Sequence, residues 1–392
     1  INDCMNTKEY KSFLSECREC SGSGDMALSF DETSDLAHSV FTNPKQVNAK
    51  ASELREKFLE KIDENLLIFE RKFTDNKGIV HWCVAYDDFL DSLFSLLRSK
   101  KIKAVNTFSS SFNSELGLDS SLKEEGIFTL ATDNACSIFE PALGVVNTGS
   151  LFSVFDSAYD MELVMCSKLK IFILPINKFI CNIADLELFS YILSIYRDKV
   201  DYPFLSSVFT PNYNTSDTEV HVFLIDNGRT NLLAMKEQRK ALLCIDCGAC
   251  KRVCPVYSII GDKPYNNVFS GPFANVVLPF LENYDSYKHL SFNSVLCGNC
   301  SRICPMNIPL SDLMIENRKF FFEKKIIDWG DSLMVSKLKN LFLSRKNMNK
   351  SAWSKKQRMK MLLPSSALKT RRLPDFAKES FNVLKEKEED IK

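Results

Sequence analysis

The chain has 392 residues and equal numbers of basic and acidic side chains, 50 of each, so its formal net charge is zero. Binding a nucleic-acid backbone needs an excess of basic residues, so this balance argues against nucleic acid as the main partner. At about 100–200 residues per domain, the length predicts two or three domains, and no apolar run approaches the length of a membrane span.

The first 45 or so residues are polar and show little periodicity. They lack the basic region and the apolar core of a signal peptide. Cys17 and Cys20 form a lone C-x2-C pair. Because no second pair and no βαβ context accompanies it, this pair stays unassigned.

Helical and strand patterns then alternate as far as residue 225. Apolar residues at three- and four-residue steps predict helices, and short runs of β-branched and aromatic residues predict strands. The predicted helices cover 48–73, 86–97, 116–125 and 186–196, and the predicted strands cover 79–83, 100–105, 126–131, 151–155, 170–175 and 220–225. Segment 203–218 is predicted to be a turn-rich loop. The alternation indicates an α/β domain with an open, mainly parallel sheet.

The rest of the chain predicts shorter helices around cysteine motifs. Proline and glycine residues between 264 and 279 predict loops. The run 336–372 is rich in Lys and Arg, which is more typical of a solvated arm or a docking surface than of a nucleic-acid or lipid site. The predicted helices cover 232–243, 286–295 and 310–325, and a last one begins at 374.

Seven cysteines fall into two motifs. The first is C-x2-C-x2-C-x3-C-P, from Cys244 to Pro255, and the second is C-x2-C-x3-C-P, from Cys297 to Pro305. The first run is one that wraps [4Fe–4S] clusters. It places too many thiols too close together for the two C-x2-C knuckles of a zinc site. Disulfides are typical of small secreted domains and do not suit a chain of this length. Because iron–sulfur ligation needs reduced thiols, we expect a cytoplasmic protein.

In two-cluster ferredoxins, the fourth cysteine of each motif binds the cluster of the other motif. The first cluster then takes Cys244, Cys247, Cys250 and Cys304, and the second takes Cys254, Cys297 and Cys300. The second cluster is one thiolate short, and Ser294 holds the repeat position of the missing cysteine. Three outcomes stay open: Ser294 binds the fourth iron, water or a partner side chain binds it, or the cluster works with three irons. We expect this cluster to be the more labile.

Lys251, Arg252 and Arg302 flank the motifs and have two interpretations. They either offset the negative charge of the clusters, which would raise the reduction potentials, or they are surface charges. The chain shows no dinucleotide-binding fingerprint. Its four histidines are scattered and predicted to be structural: His38, His81, His221 and His289. We therefore expect an electron-transfer subunit that is not catalytic alone.

The chain resembles the lactate utilization protein B family, the iron–sulfur subunit of a three-protein L-lactate oxidation system. The most specific block is Asp226-Asn-Gly-Arg229 with its spacing to the cysteine motifs. Further matching blocks are His81-Trp82, 114–118, 145–151, 270–272 and 371–377.

This resemblance implies a CoA-transferase-like α/β domain followed by a helical ferredoxin domain with two [4Fe–4S] clusters. It also implies a cysteine-rich subunit and a second lactate-utilization-domain protein as partners. The expected division is an extension over 1–47, the α/β domain over 48–230, the ferredoxin domain over 231–330, and a basic arm and helix over 331–392. The family generally lacks a cysteine at the position of Ser294.

The chain departs from the family at three places. Asn147 stands where the family has Glu, the stretch 131–144 is shorter, and 108–112 lacks an expected Lys. A ligand site built on those side chains would therefore differ here. The first functional hypothesis is electron transfer from lactate or a similar 2-hydroxy acid. The alternative is an electron carrier for another quinone- or heterodisulfide-linked oxidoreductase, and a scaffold whose clusters only hold the fold ranks last.

Overall fold

The computed structural model describes residues 30–108, 110–129, 136–203, 205–211, 218–265 and 269–324, with a few single positions beyond. The described residues as far as Asn317 form one compact unit. Its strands are β1 (Ile79–Cys83), β2 (Ala104–Thr107), β3 (Phe128–Thr129), β4 (Cys136–Phe139), β5 (Leu143–Val145), β6 (Ser150–Val154), β7 (Leu169–Pro175), β8 (Phe179–Ile180), β9 (Ser206–Phe209) and β10 (Glu219–Ile225). No described helix is long and apolar enough to cross a bilayer.

Helices precede, separate and follow these strands. Those before β10 are α1 (Phe30–Val40), α2 (Pro44–Glu60), α3 (Ile62–Asp75), α4 (Tyr86–Ser99), α5 (Ser111–Glu115), α6 (Leu118–Glu124), α7 (Ala158–Cys166) and α8 (Leu186–Leu193). Those after it are α9 (Arg229–Leu233), α10 (Ala249–Arg252), α11 (Tyr257–Ile260), α12 (Gly271–Leu281), α13 (Tyr284–Tyr287), α14 (Asn299–Ile303) and α15 (Leu310–Glu323). The part of the chain that carries the strands is thus followed by a helical part.

The main sheet has six parallel strands in the order β1-β10-β7-β4-β2-β3. Its central strand β7 is buried along its whole length, because helices cover both faces of a parallel sheet. One face packs against α3 through Phe69 and Phe73. The opposite face packs against α4 through Phe89 and Leu93. The prediction of an α/β fold with a parallel sheet is confirmed.

A second sheet of four strands, in the order β8-β5-β6-β9, lies beside the first. The strand predicted over 151–155 is β6, but it pairs antiparallel with β5 and β9 and not with the parallel sheet. The prediction of a turn-rich loop over 203–218 was wrong at 206–209, since β9 lies there. Its four residues are too short for a periodic signal and depend on pairing with β6.

Three predicted helices differ from the structure. The helix predicted over 286–295 is wrong, because α13 ends at Tyr287 and only a 3-10 turn, Lys288–Phe292, follows it. The helix predicted over 48–73 is divided into α2 and α3 at Lys61, whose φ of −131° and ψ of 43° break the helical course. The helix predicted over 232–243 is wrong, because only the short α9 and a 3-10 turn, Gln238–Leu243, form there. The carbonyls of Leu242 and Leu243 accept hydrogen bonds from side chains of the sheet part instead of continuing a helix.

The loop predicted around 271–279 is also wrong, because α12 occupies it. Pro272 lies in the first turn of the helix, where a missing N–H costs nothing. Pro279 lies inside the helix and leaves the carbonyl of Asn275 without its usual donor. The Ser291 hydroxyl donates to that carbonyl at 2.8 Å, so a tertiary hydrogen bond replaces the helical one.

Gly149 closes the turn between β5 and β6 with a φ of +60°. A Cβ at this position would lie 2.5 Å from the backbone of Lys72 and Phe73. We expect Gly149→Ala to lower the free energy of unfolding by about 3 kcal/mol, because backbone strain and steric overlap add. Urea denaturation measures the loss.

Gly126→Ala is the matched control. Gly126 has a φ of +76°, and its Cβ would meet nothing within 4 Å. This variant should lose only the strain, about 1–2 kcal/mol. Equal losses for the two variants would show that the approach of Gly149 to α3 does not matter.

His81 and His221 lie on neighbouring strands with Nε2 and Nδ1 2.8 Å apart. Burial, followed by the charge of His221, lowers the pKa of His81 to about 4, and burial lowers the pKa of His221. The imidazoles of the unfolded chain have a pKa of about 6.5. Below that pH, the unfolded chain therefore binds more protons than the folded chain. We expect stability to be complete above pH 6.5 and to fall by about 1 kcal/mol towards pH 4, allowing for partial exposure.

The urea midpoint of His81→Gln should depend less on pH over this window than that of the parent. His38→Gln alters an exposed histidine on α1 and serves as the control. An unchanged pH profile in His81→Gln would contradict the assignment.

Candidate metal centre

The first cysteine motif begins where the 3-10 turn Gln238–Leu243 ends. Asp246 and Gly248 both have positive φ, +59° and +69°. This course curls the backbone around Cys244, whose Sγ accepts the N–H of Asp246 at 3.3 Å. Helix α10 then carries Cys250. Glycine is needed at 248 for its φ, since a Cβ there would meet nothing closer than 3.5 Å.

The second motif repeats this backbone course. A 3-10 turn, Lys288–Phe292, precedes it. Leu296 and Gly298 have positive φ, +54° and +79°, and α14 then carries Cys300. Ser294 occupies the place of Cys244, and its Oγ accepts the N–H of Leu296 at 3.1 Å. The two motifs are therefore structural repeats.

The seven motif cysteines divide between two separate cavities. One cavity is lined by Cys244, Cys247, Cys250 and Cys304. The other is lined by Cys254, Cys297 and Cys300, together with Ser294. Each motif thus contributes one cysteine to the cavity formed mainly by the other motif. Soft thiol donors in sets of four and three fit an iron–sulfur cluster in each cavity.

Burial raises the pKa of three motif thiols: to about 12 for Cys304 and about 11 for Cys300, and well above its usual value for Cys250. Thiolates buried this way need positive charge nearby, which irons supply when a cluster is bound. All eleven cysteines that the structure describes are free thiols. Within the described ranges, no three Cys, His, Asp or Glu side chains converge on one point that would hold a single metal ion, which a cluster does not require because each thiolate binds a different iron.

The two cavities differ in exposure. Cys297 is exposed, whereas Cys304 is buried. The second cavity therefore has one cysteine at the surface of the protein. Cys17 and Cys20 lie outside the described residues. The remaining described cysteines are away from both cavities, with Cys83 and Cys136 buried in strands β1 and β4.

A buried cation that sequence analysis missed lies beside the first motif. Arg55 on α2 is fully buried and donates to the carbonyls of Leu242 at 3.0 Å, Leu243 at 3.4 Å and Phe179. Burial lowers its pKa to about 10, against the opposing influence of Cys244. An arginine on the apolar face of α2, four residues after buried Ala51, was the available signal.

Lys178 is a second cation near the first motif, with a side chain that is 12% exposed. It pairs with Glu140 at 2.6 Å and with Asp246 at 3.6 Å. Burial lowers its pKa, but the charges of Glu140 and Asp246 outweigh burial and raise the pKa to about 12. The Lys178 ammonium therefore stays charged and fixes the loop between Cys244 and Cys247.

The flanking cations predicted from sequence have other partners. Lys251 lies 3.9 Å from Asp262 and over the ring of Tyr257. Arg252 donates to the carbonyls of Cys247 and Tyr196. The guanidinium of Arg302 contacts its neighbour in α14, Asn299. Arg252 supports the backbone of the first motif directly.

The Asp226-Asn-Gly-Arg229 block forms a buried network at the end of β10. Arg229 makes a two-pronged ion pair with Glu115 at 2.9 and 2.6 Å and donates to Asn177 Oδ1 at 3.1 Å. Asn177 in turn donates to the carbonyl of Leu242 at 2.9 Å. This chain of contacts joins the carboxyl ends of β7 and β10 to the backbone just before Cys244.

An open cleft of about 600 Å³ borders the first motif at Cys247 and Gly248. Lys178 and Arg197 also line it, together with aromatic and acidic residues of the sheet part. Asn147, which replaces the family's Glu, does not line this cleft. Its Oδ1 accepts the N–H of Ile183 at 3.1 Å.

Comparison with known proteins places the cysteine motifs in a defined class. The family described as "4Fe-4S dicluster domain" matches residues 240–308. This range contains all seven motif cysteines and most of the residues that line the two cavities. The chain therefore carries a [4Fe–4S] domain behind a parallel α/β sheet.

The particular likeness is to proteins named "Lactate utilization protein B". Those of Bacillus thuringiensis (strain Al Hakam), Bacillus cereus (strain AH187) and Bacillus anthracis (strain A0248) are each 34% identical to this chain over 185 residues, which is 46% of this chain and 39% of theirs. The match thus spans about two fifths of the length of these curated relatives. The resemblance to this family is confirmed.

One solved structure is also similar to the chain. It is the crystal structure of a DUF162 family protein from Deinococcus radiodurans, with 13% sequence identity and a TM-score of 0.32. The match covers 42% of this chain and 98% of that protein.

Proposed function

We propose that the chain is the iron–sulfur electron-transfer subunit of a complex that oxidises L-lactate or a similar 2-hydroxy acid. Electrons pass through two [4Fe–4S] clusters. The observation that carries the proposal is the division of seven cysteines between two cavities in crossed sets of four and three. The lactate assignment rests on the relatives' name, and the family resemblance implies two partners, a cysteine-rich subunit and a second lactate-utilization-domain protein.

The first cluster is held by Cys244, Cys247, Cys250 and Cys304, and the second by Cys254, Cys297 and Cys300. When bound, the clusters supply one-electron redox chemistry. The chain's own residues bury the thiols, hold the motif backbones and place the sites in adjoining segments. The proposed organisation has four parts: an extension over 1–47, a CoA-transferase-like α/β domain over 48–230, a ferredoxin domain over 231–330 and an arm over 331–392. We place the protein in the cytoplasm.

The two sites offer two separate points for the exchange of electrons. The cleft beside Cys247 gives a small molecule or a partner's cofactor access to the first cluster. The exposed Cys297 brings the second cluster to the surface. Electrons would enter at one site and leave at the other, with the more exposed second cluster the more labile one.

Cys250→Ala separates electron transfer from a purely structural role. We expect this variant to lose the first cluster, about four of the irons, and to abolish lactate-dependent bleaching of the cluster absorbance with added partner subunits. Cys136→Ala, a buried cysteine outside the motifs, should keep both. Cluster content is measured by anaerobic iron and sulfide assay.

Two results would oppose the proposal in different ways. If lactate fails to bleach the cluster absorbance with every combination of partner subunits, while another donor reduces the clusters, the chain serves a different oxidoreductase. If Cys250→Ala unfolds the chain and the folded parent never changes its redox state, the clusters have a structural role only.

A further inference from the structure

The second cluster site lacks a fourth cysteine, and its cavity offers three side-chain oxygens instead. Ser294, Ser311 and Asn275 all line this cavity. An iron that lacks a thiolate ligand is a Lewis acid and binds another donor. One of these side-chain oxygens is well placed to bind it. The hydrogen bonds that these three groups already make show which of them is the best candidate ligand.

Ser294 reproduces the geometry of a cysteine ligand. In the first motif, Cys244 Sγ accepts the N–H of Asp246, two residues on, at 3.3 Å. In the second motif, Ser294 Oγ accepts the N–H of Leu296 at 3.1 Å. Both bonds depend on the left-handed conformation of the donor residue. The chain therefore presents a hydroxyl where the repeat presents a thiol.

The strain at Leu296 supports this placement. A leucine with a φ of +54° is uncommon, because its Cβ crowds the backbone. Such a conformation costs about 1–3 kcal/mol and persists where the surroundings require it. A serine that only filled surface space would not need it. Here the strain aims the N–H of Leu296 at the Ser294 oxygen.

The other two oxygens are less suitable. The Ser311 hydroxyl lies 2.8 Å from Ser301 Oγ, which also accepts the Ser311 N–H at 2.9 Å. Asn275 Oδ1 is buried and has no hydrogen-bond partner among the described residues, but it lies on α12, outside the repeated motif. Its amide donates to the carbonyl of Asn293 at 3.0 Å, next to Ser294.

We propose that Ser294 Oγ is the fourth protein ligand of the second cluster. The inference rests on the proposed electron-transfer function. On binding, the O–H bond of Ser294 breaks, its proton leaves to solvent and an Fe–O bond forms, with no electron transferred. The N–H of Leu296 then stabilises the bound alkoxide. The second cluster is a four-iron cluster with one oxygen-bound iron.

Anaerobically reconstituted Ser294→Ala, Ser294→Cys and Ser311→Ala proteins test this assignment. The readouts are iron content and the EPR signal of a three-iron cluster after brief oxidation. The parent and Ser311→Ala should hold about eight irons, Ser294→Ala about seven with a strong three-iron signal, and Ser294→Cys about eight with little of that signal. The first cluster serves as the internal measure of folding in every variant.

Each other outcome has a defined meaning. A parent with about seven irons, or Ser294→Ala indistinguishable from the parent, would overturn the Ser294 assignment; loss in Asn275→Leu instead would transfer it to Asn275. Neither result affects the first cluster. A parent without iron at either site would instead refute the electron-transfer function itself.

Discussion

Replacing Arg229 by leucine is expected to lower the free energy of unfolding by about 3–5 kcal/mol, because it leaves the Glu115 carboxylate buried without its partner. The side chains of Arg229 and Glu115 are only 6% and 1% exposed. The variant also removes the donor to Asn177, which holds the carbonyl of Leu242. We therefore expect faster loss of the first cluster as well as lower stability.

The control for this variant is Arg98→Leu. Arg98 pairs with Glu125 at 2.5 Å, but its side chain is 66% exposed, so the loss should be about 0–1 kcal/mol. A double variant, Arg229→Leu with Glu115→Leu, should recover part of the lost stability, since no unpaired charge is left. Denaturant titration measures the free energy of unfolding of all these variants. Similar losses of this free energy for Arg229→Leu and Arg98→Leu would show that burial of the Arg229–Glu115 pair does not matter.

The second large effect is expected at Arg55. Arg55→Leu leaves the carbonyls of Leu242, Leu243 and Phe179 without this donor, at a cost of about 3 kcal/mol or more. It also removes a buried positive charge close to Cys244. We expect the reduction potential of the first cluster to fall, because the more negative surroundings disfavour the added electron.

Arg55→Lys separates the two effects. It keeps the charge but has fewer donors, so the potential should be largely retained while stability falls. Lys57→Leu, an exposed lysine two residues away on α2, should change neither quantity. Redox titration followed by EPR measures the potential. An unchanged potential in Arg55→Leu would show that Arg55 only ties the two parts of the chain together.

Arg55 and Arg229 together explain how the backbone before the first cysteine motif is held, which the motifs alone do not explain. Both hold the backbone between the sheet and Cys244, one from α2 and the other from the end of β10. The segment before the first cysteine is thus fixed by side chains of the α/β part. Within the Asp226–Arg229 block, Arg229 is thus tied to the backbone before the first motif through Asn177.

Local sequence patterns predicted the parallel sheet well. Strand β1 was predicted over its observed range and β7 and β10 within one residue. Strands β7 and β10 read as nearly continuous apolar runs because they are buried in a parallel sheet. The short strands β4, β5 and β9 carry too few residues to show a period. Helix α12 was missed because Pro272 and Pro279 predicted a loop, while the hydroxyl that compensates for Pro279 comes from Ser291, twelve residues further on.

The grouping of the motif cysteines was predictable from the sequence, but the side chains that support the motif backbone were not. Spacing alone paired Cys304 with the first motif and Cys254 with the second, and the two cavities group them in that way. Arg55 and Lys178 could not be assigned from sequence, since they lie far along the chain from the cysteines and reach them only through tertiary packing. The predicted helix over 232–243 failed for the same reason, because its carbonyls bond to Arg55 and Asn177.

The central claim is that seven sulfurs bind two iron–sulfur clusters in neighbouring cavities. Its most direct test is iron and sulfide analysis of protein purified without air, combined with EPR of the reduced sample. The account predicts about eight irons and eight sulfides per chain, and a reduced spectrum broadened by two interacting clusters. A colourless protein whose motif thiols hold zinc or are joined as disulfides would contradict it.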